Sequence, residues 1–396
     1  MGKGTPTVVI AGAGYAGLAA YLALRAHARA GRLRVIVVNA DNWHVLVPEL
    51  PLYLAGDEPG SELRMDLRRA VQPPAELVVA RVAGLETGAR RVVCAGGIGP
   101  IGGDALILAL GSVSSDFGVP GVARHALAIG RWHDAQEMRA RVLADLEARA
   151  QKKVAVVGAG FTGVEIAAAL AERAIEAGSP LHVALIGDHV LPAMPGDVRR
   201  VGESALRRLG IELVADRAQA VDAGMVRLEH GPPHRADTII WAAGVRANPV
   251  LGSSGLPVNG RGQVRVDGYL RVAPRVYCAG DCAAVPDPHT RRDAAPTAQL
   301  ALQEGPAAAC NAVREMDGRP LVPFQPKERG FLVSLGRREA AGTIAGASVH
   351  GGDVAALKRM IERYHAFQVG GLRALARGLL RGQPTEARAD RATARA

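Results

Sequence analysis

The stretch VVIAGAGYAGLAAYLAL, residues 8–24, decides the fold of this chain. Its apolar start predicts a strand over Thr7–Ala11, and its Ala- and Leu-rich end predicts a helix that runs to about Ala30. A further apolar run, LRVIVV, predicts a second strand that ends at Val38. Strand, glycine turn, helix and strand in this order form a βαβ unit of Rossmann type.

The turn between this strand and this helix has the glycine spacing of a dinucleotide-binding site. Gly12 permits a tight turn, Gly14 lets a pyrophosphate approach the backbone, and Gly17 lets the helix pack on the strand. The helix N-terminus then offers unpaired amides to the phosphates. Asn39 stands where an acid usually accepts the ribose hydroxyls, and Asp41 follows two residues later. Either residue can accept that hydrogen bond, and the sequence does not decide between them.

A second stretch, VAVVGAGFTGVEIAAAL over residues 154–170, repeats the motif almost letter for letter. Gly158, Gly160 and Gly163 take the same three positions, and the segment that follows the helix, LHVALIG, predicts the next strand. The chain therefore has two glycine turns that each suit a dinucleotide.

The end of this later strand lacks the usual acid. Gly187 takes its place and Asp188 comes next. A carboxylate at this position repels the 2′-phosphate of NADPH, so its displacement weakens the preference for NADH. No arginine adjoins the strand end in the sequence to bind a 2′-phosphate, so the sequence favours NADH without excluding NADPH.

Two dinucleotide turns in one chain predict two nucleotides. A flavin accepts a hydride from a nicotinamide and passes electrons on singly or in pairs, so we expect FAD in one site and NAD(P)H in the other. The alternation of strands and helices predicts an α/β fold with two Rossmann-like domains. The predicted units are an FAD domain over 1–113 and 246–325, an NAD(P)H domain inserted over 114–245, a C-terminal region over 326–382 and a disordered tail over 383–396.

Composition narrows the possible partners. The 396 residues are 48% hydrophobic and carry a formal net charge of +10. This charge suits an anionic membrane surface or a phosphorylated cofactor, and no nucleic-acid-binding motif is present. The sequence predicts no signal peptide, no membrane-spanning run and no metal site. Its four cysteines do not make a disulfide scaffold and suit a reducing compartment: Cys94, Cys278, Cys282 and Cys310.

The segment RVYCAGDCAAV, residues 275–285, predicts a strand that ends at Gly280 and Asp281. A carboxylate there can accept hydrogen bonds from a flavin ribityl chain, although a simple turn aspartate looks the same in sequence. With the two glycine turns in this order, the chain resembles the two-dinucleotide-binding-domain flavoproteins. Within them it is similar to the type II NADH dehydrogenases (NADH:quinone oxidoreductases), and the resemblance covers almost the entire chain.

Further segments carry this resemblance. HVLVPELPLYLA, residues 44–55, is similar to the loop that covers the flavin in this family. DALILALGS, which contains Gly111, resembles the crossover into the NADH domain, and DTIIWAAGVRANPVL, which contains Gly244, resembles the crossover back. The resemblance therefore implies that Gly111 and Gly244 contact cofactors.

The most specific segment is PTAQLALQEG, residues 296–305. It matches the Ala-Gln-x-x-x-Gln pattern that the family places at the flavin ring and quinone pocket, which here gives Ala298, Gln299 and Gln303. With Pro296 at the first position of a helix, the two glutamines lie one turn apart on one face, and neutral amides suit a quinone. Spacing alone favours two exposed glutamines on a surface helix, and the family context reverses that preference.

The resemblance also places Glu165 near the nicotinamide and the flavin, where it positions NADH or assists proton movement; a capping or solvated glutamate is the alternative. The family often has a second acid four residues on, where this chain has Ala169. Together with Asn39 and Gly187, this departure questions the nucleotide preference and the rate. The implied activity is hydride transfer from NADH to FAD and electron delivery to a membrane quinone in respiratory electron transport, without proton pumping.

Residues 354–382 are predicted to form two amphipathic helices separated at Gly370-Gly371. Together they predict peripheral binding to an anionic membrane on its cytoplasmic face, and packing on the protein or across a homodimer is the alternative. The basic residues of the segment are Lys358, Arg359, Arg363, Arg373, Arg377 and Arg381, against the single acid Glu362. The apolar residues are Leu357, Met360, Ile361 and Tyr364 in the first helix and Leu372, Leu375, Ala376 and Leu379 in the second.

Other functions stay open at this point. A soluble reductase could pass electrons to a ferredoxin-like protein, and a sulfide:quinone reductase would need cysteines that meet over the flavin, for which the surroundings of Cys94 and Cys310 give no support. The missing acids also suit a redox-sensing flavoprotein with a weak donor site. Cys278 and Cys282 are predicted to be small buried residues.

Overall fold

The computed structural model describes residues 4–56, 60–128, 132–287, 292–362 and 364. Its first sheet has six strands, and all but one edge strand run parallel. The apolar residues of its central strand are fully buried, as expected for a parallel sheet covered on both faces. In spatial order the strands are Arg271–Ala273, Val276–Cys278, Ala105–Leu108, Thr7–Ala11, Arg34–Asn39 and Glu76–Val79.

Two long helices pack against each other beside this sheet. They are Tyr15–Arg29, which follows the first glycine turn, and Ala298–Met316, which comes almost 300 residues later. A methyl group on Gly305 would lie 2.1 Å from Ala16 O, so the backbones of the two helices are in direct contact. Only glycine allows so close an approach.

The second sheet has five parallel strands. Three long helices accompany it: Trp132–Glu147, Phe161–Ala177 and Gly196–Arg208. In spatial order its strands are Leu127–Ala128, Thr238–Trp241, Lys153–Val157, His182–Ile186 and Glu212–Val214. Two parallel sheets with flanking helices confirm the predicted α/β class, and the exact domain boundaries stay a prediction.

Small antiparallel pairs complete the described fold. Ser112–Ser114 pairs with Val245–Ala247, so the two crossovers run side by side between the sheets. Strand pairing makes two further meanders: Val82–Glu86 with Arg91–Cys94 and Ile101–Gly102, and Ala218–Asp222 with Met225–Leu228 and His234–Arg235. The remaining pairs are Trp43–Val45 with Arg64–Asp66 and Val264–Arg265 with Ala283–Ala284. The short helical segments are Val47–Glu49, Leu50–Leu54, Gly60–Leu63, Leu67–Ala70, Thr87–Ala89, Val122–His125 and Val250–Ser253.

The C-terminal region forms a three-stranded antiparallel sheet, Leu332–Ser334, Ala340–Ile344 and Ala347–Gly351, followed by a helix over residues 352–362. Val333, Leu335 and Ala341 join the apolar core around the Phe161–Ala177 helix. The predicted second amphipathic helix and the tail lie outside the described residues. Within the described ranges, no helix is long and apolar enough to cross a bilayer.

Candidate functional site

In the first glycine turn, two glycines lie against other backbone atoms and the third faces open space. Gly12 has a φ of +102°, and a methyl group on it would lie 2.1 Å from Ala109 O. A methyl group on Gly17 would lie 1.8 Å from Gly12 O, so the helix sits directly on the turn. A methyl group on Gly14 would meet no atom within 4 Å, which leaves the space that a pyrophosphate needs.

The second glycine turn has the same construction. Gly158 has a φ of +110°, and a methyl group on it would lie 2.5 Å from Ala242 O. A methyl group on Gly163 would lie 1.8 Å from Gly158 O, whereas Gly160 again faces open space. The two turns are therefore equivalent cradles on two different sheets.

Each cradle ends in a helix N-terminus without a side-chain cap. Gly14 and Gly160 are the N-cap residues, both in extended conformation, and neither has a side chain that could cap its helix. Such N-termini present free amides and a positive dipole end. A dinucleotide pyrophosphate fits both places, because it supplies the acceptors that the chain does not.

The strand end beside the first turn differs from the usual ribose site. Asn39 Oδ1 accepts a hydrogen bond from Ala13 N at 2.9 Å, and Asn39 Nδ2 donates to Asp41 O at 2.9 Å. The carboxylate of Asp41 accepts from Trp43 N at 2.9 Å. Asn39 therefore supports the glycine turn itself, and ribose contacts by Asn39 or Asp41 stay a prediction.

His44 supports the same turn from the other side. Its Nδ1 lies 3.0 Å from Ala13 O, and its ring meets Tyr15 edge-on with centroids 5.0 Å apart. Burial lowers the pKa of His44 to about 4, so the ring is neutral and Nδ1–H donates to the carbonyl. Asn39 and His44 thus bind both polar groups of Ala13, a contact that the sequence did not reveal.

The strand end beside the second turn corrects one expectation. Arg217, 29 residues after Asp188, donates from its Nε to Asp188 Oδ2 at 2.5 Å. The expectation that no arginine adjoins this strand end is wrong, because Arg217 lies beside it in the folded chain. Sequence distance hid the residue, because it follows the neighbouring strand Glu212–Val214 of the sheet.

Asp281 lies on a turn that three other side chains hold. Ser112 Oγ donates to Asp281 Oδ2 at 2.7 Å, and Gln263 Nε2 donates to Asp281 O at 3.1 Å. Gly280 N donates to Glu304 Oε2 at 2.5 Å. Glu304 is only 4% exposed, and burial raises the pKa of its carboxyl to about 7, with the nearby Asp281 acting in the same direction. The sequence had identified Asp281 alone.

Both crossover glycines have positive φ angles, +63° at Gly111 and +145° at Gly244. Gly111 O accepts from Asn248 N at 3.1 Å, and Gly244 O accepts from Ser115 N at 3.1 Å. These bonds tie the outgoing crossover to the returning one. Cofactor contact by either glycine stays a prediction.

The helix that carries the two predicted glutamines begins at Ala298, not at Pro296. Thr297 is its cap, and Thr297 Oγ1 accepts from Leu300 N at 3.2 Å. The glutamines keep their expected spacing, because both lie within the helix. The error came from the preference of proline for a first turn, which a capping threonine outweighs here.

Gln299 and Gln303 bind the backbone of residues 327–330. Gln299 Oε1 accepts from Arg329 N at 3.0 Å. Gln303 Oε1 accepts from Lys327 N at 3.2 Å, and Gln303 Nε2 donates to Lys327 O at 3.0 Å. Both side chains are half-buried, so the alternative of two exposed surface glutamines is wrong.

Glu165 lies at the junction of the second turn and the C-terminal region. Its Oε1 accepts from Ser334 N at 2.9 Å and lies 3.2 Å from Lys358 Nζ. Glu165 is 9% exposed, so the alternative of a solvated glutamate is wrong. The Phe161–Ala177 helix therefore presents this carboxylate to the strand and helix that follow residue 331.

Lys358 was expected among the membrane-facing basic residues and is instead buried. Its ammonium contacts Glu165 and Glu362 together. Burial opposes the charged form, but the two carboxylates outweigh it and raise the pKa of Lys358. Burial also raises the pKa of Glu362. The C-terminal helix thus contributes two charged groups beside Glu165.

The cysteines support no thiol relay. Cys278 and Cys282 are fully buried with their sulfur atoms 3.6 Å apart, and all four cysteines are free. Cys310 is exposed on the Ala298–Met316 helix and Cys94 is buried in a meander, so the structure gives them no shared position. Within the described ranges no group of side chains has the composition of a metal site.

Two glycine cradles on two sheets of mainly parallel strands, joined by paired crossover strands, define a protein with two dinucleotide-binding regions. Comparison with known proteins agrees: the family model described as a pyridine nucleotide-disulphide oxidoreductase matches residues 6–315. This chain belongs to that family.

Three individual proteins are similar to this chain over most of its length. A type II NADH:quinone oxidoreductase of Staphylococcus epidermidis is 27% identical over 396 residues, which cover 94% of this chain and 98% of the relative. Among solved structures, NDH2 from Plasmodium falciparum in complex with NADH has a TM-score of 0.80 at 16% identity and covers 96% of this chain and 99% of its own. The sulfide:quinone oxidoreductase of Aquifex aeolicus has a TM-score of 0.77 at 18% identity and covers 92% and 91%. These matches confirm the resemblance drawn from the sequence.

Proposed function

We propose that this chain is an FAD-dependent NADH:quinone oxidoreductase that does not pump protons. One observation carries the proposal: the three predicted catalytic residues all contact the same C-terminal segment, residues 327–358. Gln299 and Gln303 reach it from the helix beside the first turn, and Glu165 reaches it from the helix of the second. The quinone would bind where these three residues meet, between the two nucleotide sites.

In this proposal each glycine turn binds a different nucleotide. The first turn would hold the pyrophosphate of FAD, with Asp281 placed by Ser112 for the ribityl chain. The second turn would hold NADH. Bound FAD supplies a hydride acceptor that returns electrons in pairs. The proteins that the comparisons name as type II NADH:quinone oxidoreductases support this division, since they align with almost the whole chain.

Glu165 would position NADH or assist proton movement, and the protons for quinone reduction would come from solvent. Lys358 Nζ stays protonated because two carboxylates contact it, and it lies 3.2 Å from Glu165 Oε1. This ammonium would therefore hold the Glu165 carboxylate in place. Gln299 and Gln303 would line the quinone pocket and hold residues 327–330 in place there, without adding a charge.

The test is anaerobic addition of NADH to the purified flavoprotein, followed by a short-chain quinone. We expect the visible flavin absorbance to disappear with NADH and to return with the quinone. Reduction by NADH without reoxidation by quinone would reject the acceptor assignment. A flavin that NADH does not bleach would reject the donor site and favour a redox sensor.

We propose further that the enzyme binds the cytoplasmic face of a membrane peripherally. On the 352–362 helix and just after it, Met360, Ile361 and Tyr364 are 61%, 54% and 60% exposed, beside the basic Arg359. An apolar group of this kind next to positive charge suits the interface of an anionic bilayer. Docking across a homodimer would cover the same residues.

Sedimentation with anionic phospholipid vesicles tests the membrane proposal. The double variant Met360→Ser, Ile361→Ser should lose most vesicle binding while keeping its flavin. The matched control is Ile175→Ser, which removes an isoleucine that is 61% exposed on another helix. Equal vesicle binding by both variants would reject the proposal, and loss of dimer without loss of vesicle binding would favour the homodimer.

A further inference from the structure

An exposed ion pair lies where the second sheet ends beside the second glycine turn. Asp188 comes two residues after the strand His182–Ile186, and Arg217 follows the neighbouring strand. Gly187 N donates to Val214 O at 3.0 Å, so the two strand ends run side by side. The Nε of Arg217 meets the Asp188 carboxylate at 2.5 Å.

This pair begins directly at the glycine turn. A methyl group on Gly187 would lie 2.9 Å from Ala159 Cβ and 3.0 Å from Ala159 N, the residue between the first two glycines of the turn. In a Rossmann fold this strand end meets the adenine ribose of the bound dinucleotide. The pair therefore stands where a 2′-hydroxyl or a 2′-phosphate would lie.

Stability does not account for the pair. The side chains of Arg217 and Asp188 are 69% and 39% exposed, and ion pairs so open to water contribute little to folding. The backbone beneath Arg217 is nevertheless fixed: its N donates to Asp216 Oδ1 at 2.7 Å, and its O accepts from Glu229 N at 2.9 Å. The backbone of Arg217 is thus fixed, while its guanidinium is exposed to water.

We infer that Asp188 and Arg217 select the dinucleotide, with Asp188 accepting the ribose hydroxyls of NADH and Arg217 binding the 2′-phosphate of NADPH, so that the chain accepts both donors. A carboxylate alone would repel that phosphate. A guanidinium has five N–H donors, so Arg217 can bind Asp188 and still offer a phosphate several of them. The inference rests on the proposed function, because it assumes a nicotinamide donor at the second turn.

The test is rapid mixing of the oxidised holoprotein with NADH or NADPH without oxygen, read as flavin bleaching. We expect both donors to reduce the wild type. Arg217→Ala should lower the second-order rate constant for NADPH by about 10- to 100-fold and that for NADH by less than about threefold. Asp188→Asn should act in the opposite sense and raise the ratio of NADPH to NADH efficiency by about tenfold.

A matched pair on the same domain provides the control. Arg227 contacts Asp222 at 2.8 Å and is 54% exposed, on the strand Met225–Leu228 of the meander that follows Arg217. Arg227→Ala should change neither rate constant. Arg217→Lys, which keeps the charge, should retain part of the NADPH activity and guards against a folding defect in the alanine variant.

Equal losses for both donors in Arg217→Ala, or a wild type that NADPH does not reduce, would overturn the inference. The measurement ends at flavin reduction, so a failure of quinone reoxidation would reject the proposed function and leave the inference standing. If neither nucleotide reduces the flavin, both are wrong.

Discussion

The two glycine turns have nearly identical backbones and very different surroundings. At the first, Asn39 and His44 bind both polar groups of Ala13, and Gly305 brings a second helix into contact with Ala16. At the second, the equivalent Ala159 accepts one backbone hydrogen bond, from Leu191 N at 2.8 Å, and the nearby strand end carries an exposed ion pair.

This difference indicates how each turn treats its nucleotide. Side-chain hydrogen bonds and a packed second helix hold the first turn in place, which suits a cofactor that stays bound through every turnover. The simpler second turn, with charged groups open to water, suits a substrate that must leave after each hydride transfer. Under the proposed function, the same motif would retain a cofactor in one place and exchange a substrate in the other.

The strongest test of the first turn is Gly305→Ala. The added methyl group would collide with the backbone of Ala16, so the helix pair must separate, at a cost of about 3 kcal/mol or more. We expect a large fall in the thermal midpoint and loss of flavin from the purified protein. The control Gly202→Ala, also in a helix, would meet side-chain ends, the nearest of them Leu191 Cδ1 at 3.0 Å. Equal effects of the two substitutions would contradict the close packing.

Glu304, which binds the Asp281 turn beside the first helix, should give the stability of this region a pH dependence. Its folded-state pKa of about 7 lies above the usual 4.5, so the folded protein holds this proton more tightly than the unfolded chain. Stability from this group is therefore fully present below about pH 4.5 and is lost as the pH rises through about 7. Thermal midpoints measured from pH 5 to 8 should fall more steeply in the wild type than in Glu304→Gln, by up to about 3 kcal/mol in stability. Parallel curves would mean that the buried carboxyl does not titrate in this range.

Substitution of the middle glycine of each turn should show which nucleotide that turn binds. Gly14→Ala and Gly160→Ala both place a methyl group in open space, so each should fold and then obstruct its own nucleotide. We expect the first to lose flavin and the second to keep its flavin with a KM for NADH raised about tenfold. The readouts are flavin content and steady-state kinetics. Flavin loss in Gly160→Ala would mean that the turns are assigned in the wrong order.

Substitution of Asn39 should have the smallest effect on stability and flavin binding. Asn39→Ala removes the acceptor for Ala13 N and should cost about 1 kcal/mol in stability, with a modest rise in flavin dissociation. Asn39→Asp is the matched control, because it keeps an acceptor at the same position. Flavin titration of the apoproteins and thermal melts would show this order, and a weaker flavin site in Asn39→Asp than in Asn39→Ala would contradict it.

Local sequence determined the parts of this protein that depend on neighbouring residues. The two glycine turns, their strands and helices and the α/β class follow from apolar runs and glycine spacing, because each turn closes on residues a few positions away. The family resemblance added Asp281, Glu165, Gln299 and Gln303, and the structure brings the last three to one C-terminal segment.

Tertiary structure alone decided which distant side chains complete each site. Arg217 reaches Asp188 from the next strand of a parallel sheet, and Lys358 reaches Glu165 from a helix almost 200 residues later. Glu304 is a buried acid because its helix packs against the helix Tyr15–Arg29 and the Asp281 turn. Parallel strands and packed helices juxtapose residues that are far apart in the chain, and no local pattern of apolar or glycine residues encodes such contacts.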